Sequence, residues 1–124
     1  MSVRHRVIWL AFLLAFVSQA FAQAPAIEAQ SLIGEWSGDI KGPANLPYQM
    51  TLTRAEGNKL FGKAKAGTFP EYQIEGTLDG DVFKYRSLAH PLTVELVVTR
   101  DTMTGSGENA RSGAVGKFSL TRKK

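Results

Sequence analysis

The stretch YQIEGTLDGDVFKYR, Tyr72 to Arg86, decides the fold. Its first half puts Tyr72, Ile74 and Gly76 on one side and Gln73, Glu75 and Thr77 on the other. Its second half sets Phe83 and Tyr85 against Lys84 and Arg86. A period of two is that of a half-buried β-strand. Between the halves, Leu78-Asp79-Gly80-Asp81-Val82 reads as a two-residue hairpin, because Asp-Gly suits the positive φ angles of a type I′ turn. That register places Ile74 opposite Tyr85, Gly76 opposite Phe83 and Glu75 opposite Lys84. The last is an opposite-charge pair worth a few tenths of a kcal/mol.

The same alternation runs outward in both directions. Upstream it appears around Trp36–Ile40, Tyr48–Thr53 and Leu60–Lys65. Downstream it returns around Val94–Thr99, Met103–Gly107 and Gly116–Thr121. These runs predict eight strands, and no window carries the 3.6-residue period of a helix. Pro43, Pro47, Pro70 and Pro91 fall between the runs, where a missing N–H harms no ladder. A tight turn after Arg54-Ala55-Glu56-Gly57-Asn58 sets Leu52 against Gly62 and Met50 against Ala64. Large residues facing small ones is how a small closed barrel fills its taper, so the expected fold is an eight-stranded antiparallel up-and-down barrel. A loose echo, Leu52-Thr53-Arg54 then Leu60-Phe61-Gly62 against Val98-Thr99-Arg100 then Met103-Thr104-Gly105, predicts one similar hairpin in each half.

Ahead of the barrel lies an export signal. Arg4, His5 and Arg6 precede an unbroken apolar run from Val7 to Val17, and Ala20 and Ala22 supply a small-x-small cleavage site. The run is shorter than the roughly 18 to 20 residues of a membrane span. The reading is therefore a signal peptide over 1–22, a linker over 23–31 and one domain over 32–124, periplasmic or extracellular in a bacterium. Removing 1–22 takes away Arg4 and Arg6 and no acid, so 15 Lys+Arg become 13 against 11 Asp+Glu, a net charge of +2. Cations and acids alternate along the chain, which weighs against nucleic acid and membrane-surface binding. There is no cysteine, which removes thiol chemistry, disulfides and a lipidated-cysteine membrane anchor.

Gly34-Glu35-Trp36 at the first strand and Phe118-Ser119-Leu120-Thr121-Arg122 at the last resemble the calycin pattern of lipocalin-like and avidin-like barrels. The resemblance implies an Arg122 that packs on Trp36 and closes the barrel floor. Gly34, Trp36, Gly38, Leu60, Gly62, Leu120 and Arg122 are also similar to a small β-domain found beside secreted α/β-hydrolases. The Thr-Asp-Tyr element of lipocalins is missing, and so is the Gly-x-Ser-x-Gly of the hydrolase partner.

Catalytic chemistry finds little support. His90 is the single histidine after cleavage. Ser87 and Asp101 are its nearest recruits for a nucleophilic set, at a spacing that matches no triad. Glu35 and Asp39 flank Trp36 but alternate to the opposite face, away from any glycosidase role. One histidine and scattered carboxylates give no zinc set, Asp79-Gly80-Asp81 reads as a turn rather than a calcium loop, and no cofactor is implied. Gly105-Ser106-Gly107 lacks the following helix that a phosphate cradle needs. Trp36, Tyr48, Tyr72, Phe83, Tyr85 and Phe118 share the inward face, as core or as the lining of an apolar ligand pocket. The expected function is non-enzymatic: binding of a small apolar ligand, or of a protein partner at the open-end loops around 42–47, 67–71, 88–91 and 109–113. The alternative is a free-standing structural domain. A cavity above roughly 300 Å³ behind Trp36 and Tyr85 would favour a ligand carrier. A filled interior with exposed apolar loops would favour a partner outside.

Overall fold

The computed structural model describes residues 27–123. The signal peptide over 1–22 and the first part of the linker lie outside the described residues. A 3₁₀ turn (Ala29–Leu32) leads into eight strands: β1 (Gly34–Lys41), β2 (Leu46–Glu56), β3 (Lys59–Ala66), β4 (Tyr72–Asp79), β5 (Val82–Ser87), β6 (Leu92–Thr99), β7 (Thr102–Asn109) and β8 (Val115–Arg122). Each pairs antiparallel with the next, and β8 returns to β1, so the sheet closes into an up-and-down barrel. Closure removes the free edges on which open sheets aggregate.

Inward positions follow the alternation. Trp36, Tyr48, Met50, Leu52, Leu60, Ile74, Phe83, Leu96, Met103 and Leu120 are almost wholly removed from water and form one continuous core. Leu52 faces Gly62 and Met50 faces Ala64 across β2 and β3, as expected. Small inward residues also let the strands bend. A Cβ on Gly62 would stand 2.0 Å from the Thr51 carbonyl oxygen, and one on Gly105 would stand 1.9 Å from that of Glu95. Only a bare backbone permits that closeness, so these glycines mark where the sheet curls tightly enough to close.

Several details depart from the sequence expectation. The β4–β5 hairpin pairs Asp79 with Val82, leaving Gly80-Asp81 as the loop. Gly76 therefore faces Tyr85, Ile74 faces Ser87, Leu78 faces Phe83 and Glu75 faces Arg86. The cause is the turn itself: Gly80 has a φ of 64° and Asp81 has no positive φ, whereas type I′ requires positive φ at both central residues. The Glu75 ion pair survives with a different partner, Arg86 Nη2 at 2.5 Å. The two hairpins of the echo are not built alike. β2 carries a bulge between Leu52 and Arg54, while Arg100 sits in the β6–β7 turn rather than in a strand. β2 begins at Leu46, which puts Pro47 opposite Asp39 at the start of the ladder.

The end of the supposed linker is not free chain. Ala29 and Leu32 are 5% and 1% exposed, and Ile27 and Ile33 pack beside them, so this segment plugs the barrel floor. Isolated small apolar residues without a period gave no sign of it.

Candidate functional site

The up-and-down order sends every second connection to the same end. Loops 42–45, 67–71, 88–91 and 110–114 gather at one end. The two-residue turns 57–58, 80–81 and 100–101 gather at the other, with the N-terminal plug.

The plugged end is a closed floor. The Trp36 indole Nε1 donates to the Leu32 carbonyl at 3.0 Å. The Arg122 guanidinium lies over the Trp36 ring, 4.4 Å from its centre. The same guanidinium donates through Nη2 to the Ser31 carbonyl at 2.9 Å and through Nε to Asp101 Oδ1 at 3.2 Å. One side chain thus ties the plug, the β6–β7 turn and the first strand together. A cation held over an aromatic face is worth about 0.5 to 2 kcal/mol.

The loop end is roofed by aromatic residues. The Tyr48 hydroxyl meets the Tyr85 hydroxyl at 2.8 Å and the Tyr72 hydroxyl at 3.1 Å. The Phe118 ring packs edge-on against Tyr48 at 5.0 Å, and Phe83 lies 5.2 Å from Tyr85. The three phenols satisfy one another in a dry interior, which is the condition for burying such groups without penalty. Burial pushes the hydroxyls of Tyr48, Tyr72 and Tyr85 above the ordinary phenol range, and at Tyr48 the neighbouring Tyr85 and Tyr72 push the same way. These groups stay protonated. The sequence placed all three rings inward, but that their hydroxyls converge follows from β2 meeting the β4–β5 hairpin across the interior, a contact between strands that are not paired.

The six aromatic residues read as core or pocket lining are all within 8% of full burial and belong to one packed cluster. An eight-stranded barrel is filled by its side chains or holds one small ligand, and here the inward side chains form one continuous cluster. A depression of about 640 Å³ lies on the outer wall across β3 to β8, lined by Lys59, Phe61, Lys84, Arg86, Glu95 and Val115 among others. Gly76 and Gly107 thin the wall there, and it is open to solvent.

The residues recruited for catalysis do not assemble. Ser87 is buried, and its Oγ accepts from the backbone N–H groups of Ala89 and His90 at 3.1 and 3.0 Å. That shapes the 88–91 loop. The His90 ring packs edge-on against Tyr72 at 5.4 Å. Asp101 lies at the opposite end of the barrel on Arg122. Glu35 is exposed and pairs loosely with Lys123 at 4.0 Å. Gly105-Ser106-Gly107 runs inside β7. Among the described residues no group of three His, Asp or Glu side chains could hold a metal ion.

What the loop end does present is apolar surface and positive charge. Phe69 is 61% exposed and Leu88 49%, on two loops that are neighbours around the ring of connections at this end. Lys41, Lys65, Arg86, Arg111 and Lys117 stand on these loops or on the adjoining strand ends, against Asp39, Glu71 and Glu108. At the floor the balance is close to even: Glu28, Glu35, Glu56, Asp79, Asp81 and Asp101 face Arg54, Lys59, Arg100, Arg122 and Lys123, with Arg54 tied to Glu56. Charges that alternate along the sequence thus leave a positive excess at one end of the fold. A sequence displays neighbours along the chain and not neighbours around a ring, so this distribution is not legible in it.

No protein-family model matches the chain, and no curated protein matches it in sequence. Among solved structures it is similar to a redesigned β-barrel, with a TM-score of 0.63 and 17% identity over 82% of this chain and 100% of that one. A likeness at that identity carries the barrel fold alone.

Proposed function

We propose that this chain is an exported, non-catalytic binding barrel that meets its partner at the loop end and carries no cargo inside. One observation carries the reading: the interior is packed with side chains while Phe69 and Leu88 stand in solvent on adjacent loops. Two large apolar side chains exposed at one end of the barrel are the surface that a partner would cover. The rest of the molecule suits a scaffold that holds those loops steady. The roof beneath them is braced by the Tyr48 hydroxyl bonds, and the 88–91 loop is pinned by Ser87 Oγ. The Arg122–Trp36 floor supports the reading of a calycin-like relative. Export rests on the Arg4–Ala22 signal. Native mass spectrometry of the protein recovered from its own host tests the proposal. A bound species that the Phe69→Ser/Leu88→Ser double variant loses is the expected result. A small apolar molecule retained by that variant would return the cargo reading.

A further inference from the structure

We infer that the surface met by the loop end is an anionic lipid bilayer. This rests on the loop-end reading above and names the chemistry of the partner. Two observations coincide at one pole of the barrel. Phe69 and Leu88 stand well exposed on separate loops, as two apolar tips. Lys41, Lys65, Arg111 and Lys117 surround that pole, and none has a carboxylate within ion-pair distance among the described residues. Apolar tips ringed by cations are what an acyl–headgroup boundary bearing negative charge accommodates. The tips enter the apolar layer, and the cations stay among the headgroups. A structured protein partner would instead favour a concave or flat apolar patch with a polar rim.

The polarity of the barrel orients it. Lys65 shares the β3–β4 hairpin with Phe69, and Arg111 stands on the loop tied to that of Leu88 by the Ala110 N–H donating to the Pro91 carbonyl at 2.8 Å, so each tip has a cation nearby. The floor, with six acids against five described cations, lacks the positive excess of the loop end and points away. Pro70 beside Phe69 and Pro91 close to Leu88 stiffen both loops, which lowers the ordering cost of docking.

The test is co-sedimentation of the host-processed protein with two vesicle types, one of mixed phosphatidylglycerol and phosphatidylcholine and one of phosphatidylcholine alone. The expected result is binding to the first alone, weakening as salt is raised. Phe69→Ser/Leu88→Ser lowers it by at least about tenfold, from two apolar side chains no longer buried. Lys65→Glu/Arg111→Glu abolishes it, while Lys59→Glu at the floor leaves it unchanged. Thermal unfolding verifies that each variant folds. Absence of binding to the anionic vesicles, or binding indifferent to the Phe69/Leu88 change, overturns the lipid inference. If the vesicles fail but a polypeptide co-recovered from the host is lost in the Phe69/Leu88 variant, the lipid falls and the loop-end reading stands. If that variant alters neither, both fall.

Discussion

Tyr48 shows how one polar atom can govern a core. Its hydroxyl is the shared partner of Tyr72 and Tyr85, so its removal leaves two other buried hydroxyls short of a bond. Leaving a buried polar group unpaired costs more than an average hydrogen bond contributes. Tyr48→Phe is therefore expected to destabilise the fold by about 2 kcal/mol, read by chemical denaturation. Tyr72→Phe should cost less, because Tyr48 keeps its bond to Tyr85. Equal effects of the two changes would show that the phenols do not act as a set. At this scale the sequence was partly legible. Alternation told which rings point inward, but no rule of spacing tells which hydroxyls meet across strands that are not neighbours.

Among the elements, the hairpins separate two reasons for special backbone. Gly105 lies mid-strand with the Glu95 carbonyl oxygen 1.9 Å from where a Cβ would stand. Gly105→Ala must push β6 and β7 apart, at an expected cost of about 3 kcal/mol in denaturant titration. Gly57 has nothing within 4 Å and is constrained by its φ of 62° alone, so Gly57→Ala should cost only about 1 kcal/mol. Arg100 occupies the left-handed region at a φ of 49° without being glycine. Asparagine tolerates that region better, so Arg100→Asn should stabilise by about 0.5 kcal/mol and raise Tm by about 3 °C in calorimetry. Strand existence was legible throughout, because eight half-buried strands impose the same period on the sequence. Register was legible only where turn chemistry was unambiguous. The Asp79-Gly80-Asp81 turn admits two placements of its loop, and the choice moves every facing pair by two residues.

For the molecule as a whole, the buried phenols set a limit on the alkaline side. Their pKa values are raised by burial, while in the unfolded chain a tyrosine ionises near pH 10. Below that pH the folded and unfolded states hold the same protons and no stability is at stake. Above it the unfolded state sheds phenolic protons that the folded state keeps, so stability falls with rising pH. The slope is about 1.4 kcal/mol per pH unit for each phenol involved. Unfolding should thus set in above about pH 10, with phenolate absorbance appearing together with the loss of Trp36 fluorescence. Phenolate that appears in a still-folded barrel would mean the roof is wet. The positive excess at the loop end belongs to this scale too. It was invisible in the sequence because a meander collects every other loop into one ring, whatever lies between them along the chain.

β1 and β8 lie side by side, and the Lys123 N–H donates to the Glu35 carbonyl at 2.8 Å. The described chain therefore enters and leaves at the floor, one strand apart. A short flexible linker could join these ends, and new termini could be opened within 42–45 or 110–114 without cutting a strand. Such a circular permutant should keep the same architecture while exchanging which pole is tethered. A cargo fused to the natural chain would hang from the pole opposite Phe69 and Leu88, and one fused to the permutant would sit among their loops and block them.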